Sequence, residues 1–316
     1  MLVRLTPAIF VLIWSTGWIV AKYAAPHADP LAFLSARYVA ALAVLAPLAA
    51  LLGARWPANG RDWLHSGVNG ALLHGVYLGG VWWAIAHGVP AGISALIAAL
   101  QPLFTALAAG PLVGERLSPR RWLGIAVGFA GVALVVAPKL ASAGALSALW
   151  LPISVNVLAM VAVTAATLHQ KRSLAGADPR TLAIGQYVGA LIVTVPVVAL
   201  VGEWRFDPTP ETFATLAWSV VVLSVVAILL MLAMIERGEV SRVAALIYLV
   251  PPVAAVQAYL LFGETMSPIQ LGGMALAAVG VALANGSAPP PASAEGCIAA
   301  TTPDGEDGAK TPSRSA

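Results

Sequence analysis

Polar residues are spaced along this chain so that ten apolar stretches lie between them, over residues 5–25, 31–52, 67–87, 91–113, 121–138, 149–171, 181–202, 213–236, 240–262 and 268–286. Each is about 20 residues long, the length at which an α-helix crosses a hydrocarbon layer about 30 Å thick. They are too long and too uniformly apolar for the strands of a membrane β-barrel, which would alternate every second residue. In lipid a backbone N–H finds no water, so such a segment spans as a helix whose hydrogen bonds close within itself. Asp29-Pro30, Trp56-Pro57, Ser118-Pro119, Asp178-Pro179 and Ser267-Pro268 punctuate the short links. The pattern predicts an all-α membrane protein of ten transmembrane helices. A lone Arg4 ahead of the first run gives it the look of a signal peptide, but Leu5 to Ala25 is long enough to span and has a partner run in the second half.

The runs are written twice. His87 to Pro138 returns as Arg237 to Gly286, each copy holding an apolar segment, a polar hinge and a Gly-rich apolar segment. The hinge reads Gly114-Glu115-Arg116-Leu117-Ser118-Pro119 in one copy and Gly263-Glu264-Thr265-Met266-Ser267-Pro268 in the other. At the same offset of 149, Lys22 falls on Lys171, Asp29-Pro30 on Asp178-Pro179, Tyr38 on Tyr187, Pro47 on Pro196 and Gly53 on Gly202. The expected organisation is therefore a first repeat over residues 1–148, a second over 149–286, and a tail over 287–316 too polar to bury a core of its own. Five helices per repeat is an odd number, so the second copy enters the membrane from the opposite side.

Two repeats that each close on a G-E-x-x-S-P hinge followed by a Gly-rich helix resemble the EamA-type members of the drug/metabolite transporter superfamily, over roughly residues 5–286. The resemblance implies two five-helix halves around a central cavity, and export of small metabolites such as amino acids.

Charge supports the inverted arrangement on its own. With both termini in the cytoplasm, thirteen of the 17 Lys and Arg fall on inside segments, only Lys22, Lys139 and Arg205 fall outside, and Arg37 lies within a helix. Equivalent links have exchanged their charge, since Arg116, Arg120 and Arg121 correspond to Thr265, Ile269 and Gln270. Only 10% of residues are charged and 59% are hydrophobic, which excludes a soluble globular domain. A net charge of +3 seated in short loops reports membrane orientation and argues against a nucleic-acid partner. The one cysteine, Cys297, can form no internal disulfide. No metal-ligand spacing, P-loop or nucleophile motif is present, so neither cofactor, metal nor catalytic group is expected and the energy source would be a gradient. The expected partners are a small-molecule substrate and the lipid of a cytoplasmic (inner) membrane, with the protein acting as a monomer.

Polar groups inside a bilayer are costly and mark pathways. Candidates for substrate binding are His74 and Tyr77, three apart on the third run, where five glycines leave room and His74 could titrate near neutral pH. Gln101, Pro102, Tyr248, Pro252 and Gln257 cluster around proline breaks at matching places in the fourth and ninth runs, where freed carbonyls would face a water-filled path. By position, the resemblance places Gln101, Pro102, Tyr248 and Pro252 on the cavity. Trp14, Ser15 and Trp18 of the first run offer an aromatic wall, with Asn156, Thr164, Thr167 and His169 as weaker sixth-run counterparts. Each has a plainer reading as interhelical packing or a kink. Arg37 would either reach a substrate carboxylate or, the better account, snorkel outward or pair with Asp29. Glu115 and Glu264 read as caps of the helices that follow them. The whole points to a secondary transporter working by alternating access, with a passive facilitator or a membrane-embedded enzyme as alternatives.

Overall fold

The computed structural model describes residues 2–113, 118–140, 145–227, 229–230, 234 and 249–285. The helices are α1 (Leu2–Ala24), α2 (Pro30–Leu51), α3 (Gly60–Gly70), α4 (Gly79–Ala86), α5 (Ala91–Ala98), α6 (Gln101–Val113), α7 (Pro119–Leu140), α8 (Ala145–Ser173), α9 (Pro179–Val201), α10 (Pro210–Ala217), α11 (Val250–Phe262) and α12 (Pro268–Asn285). Two π-helical stretches, π1 (Ala71–Leu78) and π2 (Trp218–Val226), continue α3 into α4 and extend α10. Among the described residues the only β pairing is a single bridge between Ala28 and Phe206. Among the described residues five helices are long and apolar enough to cross a membrane: Thr6–Ala24, Pro30–Leu51, Pro119–Pro138, Ala148–Ser173 and Pro179–Leu200.

Three runs depart from plain helix in ways that shape the interior. The fourth breaks after Ala98 because Pro102, four residues on, supplies no N–H to its carbonyl and crowds it with a ring; α6 then restarts at Gln101. The third winds into π1, and the eighth into π2 at nearly the same place in the second repeat. A π turn bonds i to i+5 and widens the winding, which moves i+3 off the face of i. His74 and Tyr77 therefore do not share the face that an α-helix would give them.

Repeat-equivalent helices begin with the same chemistry. Asp29 caps α2 by accepting from the N–H groups of Leu31 and Ala32, both at 2.9 Å, and Asp178 caps α9 through Arg180 N–H at 3.0 Å. Proline follows each, its missing N–H harmless in a first turn. Asn59 and Thr209 cap α3 and α10 in the same way.

The packing maps onto itself when the two halves are exchanged. The α1–α11 contact is matched by α8–α6, the α2–π2 contact by α9–π1, and α2–α10 by α9–α3. Equivalent helices also pack on one another, α2 on α9 and α7 on α12. Along the second pair, Gly124 lies against Gly280 and Ala284 while Gly131 lies against Gly273 and Ala277, so α7 and α12 run antiparallel. At the α2–α9 crossing Tyr38 and Tyr187, equivalent at the offset of 149, stack with ring centroids 5.4 Å apart and planes 17° from parallel. A twofold relation between the halves passes between these two rings.

Candidate functional site

The sequence-derived candidates separate into two groups. The first lies where α1 meets α11. Ser15 is fully buried and its hydroxyl donates to the carbonyls of Val11 at 2.6 Å and Val250 at 3.3 Å, tying α1 to the first residue of α11. Gln257 donates through Nε2 to Leu12 O at 3.1 Å, while its buried Oε1 has no partner among the described residues. Trp18 is buried, its indole N–H without a partner among the described residues, and the half-buried Trp14 ring sits 5.2 Å from Phe10. Pro252 is half-buried in the first turn of α11, beside the buried Pro251. Tyr248 lies outside the described residues. The equivalent junction of the other half joins α6 to α8, where Gln101 Nε2 donates to Thr167 Oγ1 at 3.1 Å next to Pro102. Of the weaker counterparts, Asn156 donates to Ser94 Oγ at 2.7 Å, Thr164 bonds its own helix at Met160 O, and the His169 ring lies 5.1 Å from His65.

The second group surrounds the Tyr38–Tyr187 stack. The His74 ring stands 5.8 Å from Tyr38 and 5.0 Å from Tyr187, and its carbonyl accepts from the Tyr38 hydroxyl at 2.8 Å. Tyr77 packs on the core, and its hydroxyl bonds no described residue. No hydrogen bond or ring contact joins the two groups among the described residues.

Partners of several polar groups were invisible in the sequence. Gln186 donates to Asn69 Oδ1 at 2.6 Å and to Gln170 Oε1 at 3.4 Å, and Asn69 donates to Ala166 O at 2.6 Å, joining α9, α3 and α8. Arg37 neither snorkels nor meets Asp29. It is 6% exposed and donates through Nε at 3.3 Å and Nη2 at 3.2 Å to one acceptor, Ser224 Oγ on π2. Asp29 is committed to its own helix cap, which leaves it no reason to turn toward Arg37. The one available signal was the repeat itself, which aligned Tyr38 with Tyr187 and Arg37 with Gln186.

Glu264 also differs from expectation. Its carboxylate accepts from the N–H groups of Ala91 at 3.3 Å and Gly92 at 3.2 Å, capping α5 in the other half, and it pairs with Lys22 of α1. The helix that follows it, α12, is closed instead by Ser267 and Gln270, each donating its backbone N–H to the other's side chain. Glu264 has better partners across the molecule than along the chain. Glu115 lies outside the described residues. The Lys22–Glu264 pair borders a cavity of about 300 Å³ between Pro90, Ile93, Ala255, Phe262, Met266 and Gln270. Two further ties link the loops. Arg205 and Asp207 hold the α1–α2 turn through Ala25 O and His27 O, and Asp178 and Thr181 hold Arg55 through its N–H and carbonyl. These sets occupy equivalent places in the two halves. Arg180 donates two bonds to the Asp178 carboxylate, and these, more than the backbone N–H groups it also accepts, hold its pKa far below the usual carboxylate range.

The sequence profile of the EamA-like transporter family matches residues 5–137 and 150–286, once per repeat. The chain belongs to the EamA-like transporter family. Among similar proteins, a probable terminal-alkyne amino-acid exporter of Streptantibioticus cattleyicolor is 30% identical over 249 residues, covering 79% of this chain and 82% of its own. The uncharacterized inner membrane transporter YedA of Escherichia coli is 28% identical, covering 85% and 86%. A probable amino-acid metabolite efflux pump of Salmonella typhimurium is 27% identical, covering 86% and 90%. A solved crystal structure at 19% identity matches with a TM-score of 0.61 over 89% of this chain and 95% of its own, a likeness of fold alone. Among the described residues of this EamA-like transporter, no three His, Cys, Asp or Glu side chains gather to hold a metal.

Proposed function

We propose that this EamA-like transporter exports small organic metabolites of amino-acid type across a bacterial inner membrane, as a monomer of ten transmembrane helices in two inverted repeats. Solute passes along the seam between the halves by alternating access, and both termini face the cytoplasm. The observation that supports this most is the exchange symmetry of the packing, with the antiparallel α7–α12 pair and the Tyr38–Tyr187 stack on its axis. Two halves related in this way can trade conformations, which turns an outward-closed molecule into an inward-closed one without changing the contacts at the axis. The amino-acid character of the cargo rests on the names of the similar exporters. Trp14, Ser15, Trp18, Gln101, Pro102, Pro252 and Gln257 line the path, with His74 and Tyr77 beside the axis.

Counterflow tests the reading. Proteoliposomes loaded with L-leucine should accumulate labelled L-leucine well beyond empty liposomes. A protein that carries none of a panel of amino acids under these conditions does not have this function. Proton coupling through His74 adds that an imposed pH gradient should change the initial rate; equal rates with and without the gradient remove it.

A further inference from the structure

Arg37 is the one cation that the described residues bury inside a membrane-crossing helix, and they provide it with no counter-charge. Its only hydrogen bonds go to the uncharged Ser224 Oγ, and Nη1 donates to none of them. Among the described residues the ion pairs are Lys22–Glu264 and Arg180–Asp178, both at helix ends. A buried guanidinium normally has a carboxylate opposite it, because lipid and apolar side chains do not replace its hydration.

Packing does not account for the charge. The equivalent position in the other half is Gln186, also buried, which bridges α9 to α3 with neutral hydrogen bonds. An amide therefore suffices at this place in the fold, and the positive charge at Arg37 is additional. Its surroundings suit a ligand. It precedes Tyr38 on α2 and bonds π2, whose wide turns bring Ser224 to it. Both π segments fall at this level of the repeats, and such wide turns recur at functional sites.

We propose that Arg37 is the carboxylate-binding residue of the transport path: its guanidinium receives the anionic group of the cargo when α2 and π2 separate, and Ser224 holds it in place between cycles. The inference rests on the exporter reading above and narrows its substrate class to solutes that carry a carboxylate. A planar guanidinium with a free N–H edge presents two donors to two carboxylate oxygens, a match that an ammonium group does not offer.

Four compounds with one side chain test it: L-leucine, L-leucinamide, 3-methylbutylamine and 4-methylpentanoate. Each competes at equal concentration for counterflow of labelled L-leucine in proteoliposomes of the full chain. The wild type should be inhibited by L-leucine and 4-methylpentanoate and much less by the amide and the amine. Arg37→Gln, which copies the other half, should lower the preference for acid over amide by at least about tenfold. Arg37→Lys should keep the preference with weaker binding. The preference is a ratio, so loss of folded protein does not mimic the effect; should Arg37→Gln fail to insert, Arg37→Met, also long and uncharged, decides the matter by losing or keeping it. An unchanged preference in the uncharged Arg37 variants overturns the proposal and leaves the exporter reading standing, as does equal inhibition of the wild type by all four compounds. A wild type that carries no amino acid overturns both.

Discussion

At the scale of single residues, two charged groups make predictions of different kinds. Asp178 links a helix cap, Arg180 and the Arg55 backbone, so Asp178→Asn removes a charge-assisted bond at a buried group and should cost about 1–3 kcal/mol. Its folded-state pKa lies below the usual 3.8, so the contribution is complete above that value and disappears as pH falls toward the depressed one. The gap in thermal midpoint between wild type and variant in detergent should therefore be constant from pH 5 to 8; a gap that closes within that window contradicts the assignment. Lys22 and Glu264 join α1 to the hinge before α12 and to the start of α5, three elements that must part if this end opens. Lys22→Ala should leave the fold intact and increase labelling of a cysteine placed at Ala255, in the wall of the adjoining cavity, by an impermeant maleimide in a Cys297→Ser background. Equal labelling with and without Lys22 would mean that the pair does not hold that end closed.

Elements show what the sequence made legible and what it hid. The positions of most described helices were readable because an apolar run of spanning length has few alternatives in lipid, although α3 begins at Gly60, ahead of the run predicted from residue 67; the break at Ala98 was readable because a proline four residues on forbids its bond. The π segments were not. A stretch apolar on all sides has no polar face whose period would reveal a change of winding, so placing His74 and Tyr77 on one face assumed an α geometry that π1 does not have. Glu264 was misplaced for a related reason: a capping carboxylate is recognised from the residues that follow it, whereas its partners Ala91 and Gly92 are more than 170 positions away. The Gly-rich faces of α7 and α12 approach each other closely. An added methyl at Gly280 would come within 2.2 Å of Gly128 N on α7, while one at Gly272, on the same helix, meets nothing within 4 Å. Gly280→Ala should lower the thermal midpoint by an amount corresponding to about 1–3 kcal/mol, and Gly272→Ala should leave it unchanged or raised. Similar losses in both would show that α7 and α12 do not meet along this line.

For the whole molecule the question is whether the twofold relation seen in the packing lies in the plane of the membrane. Helices α7 and α12 are equivalent yet antiparallel, so the operation that exchanges them reverses direction along the helix axis. A twofold that does this stands across the helices. If the helices span the bilayer, equivalent loops then open on opposite faces. The link that follows α2 and the link that follows α9 provide the test, because Ala58 and Asp207 occupy equivalent positions at the offset of 149 and neither is deeply buried. In the proposed orientation, which follows the positive-inside bias, Ala58, near Arg55 and Arg61, faces the cytoplasm and Asp207 the outside. In intact cells carrying Cys297→Ser, an impermeant thiol reagent should label Asp207→Cys and spare Ala58→Cys, and in inverted vesicles the order should reverse. Labelling of both from one side would place the axis along the membrane normal. A carrier with that symmetry could not exchange inward-closed and outward-closed forms by swapping the conformations of its halves, and the seam through Tyr38 and Tyr187 would lose its role as the fixed point of the transport cycle.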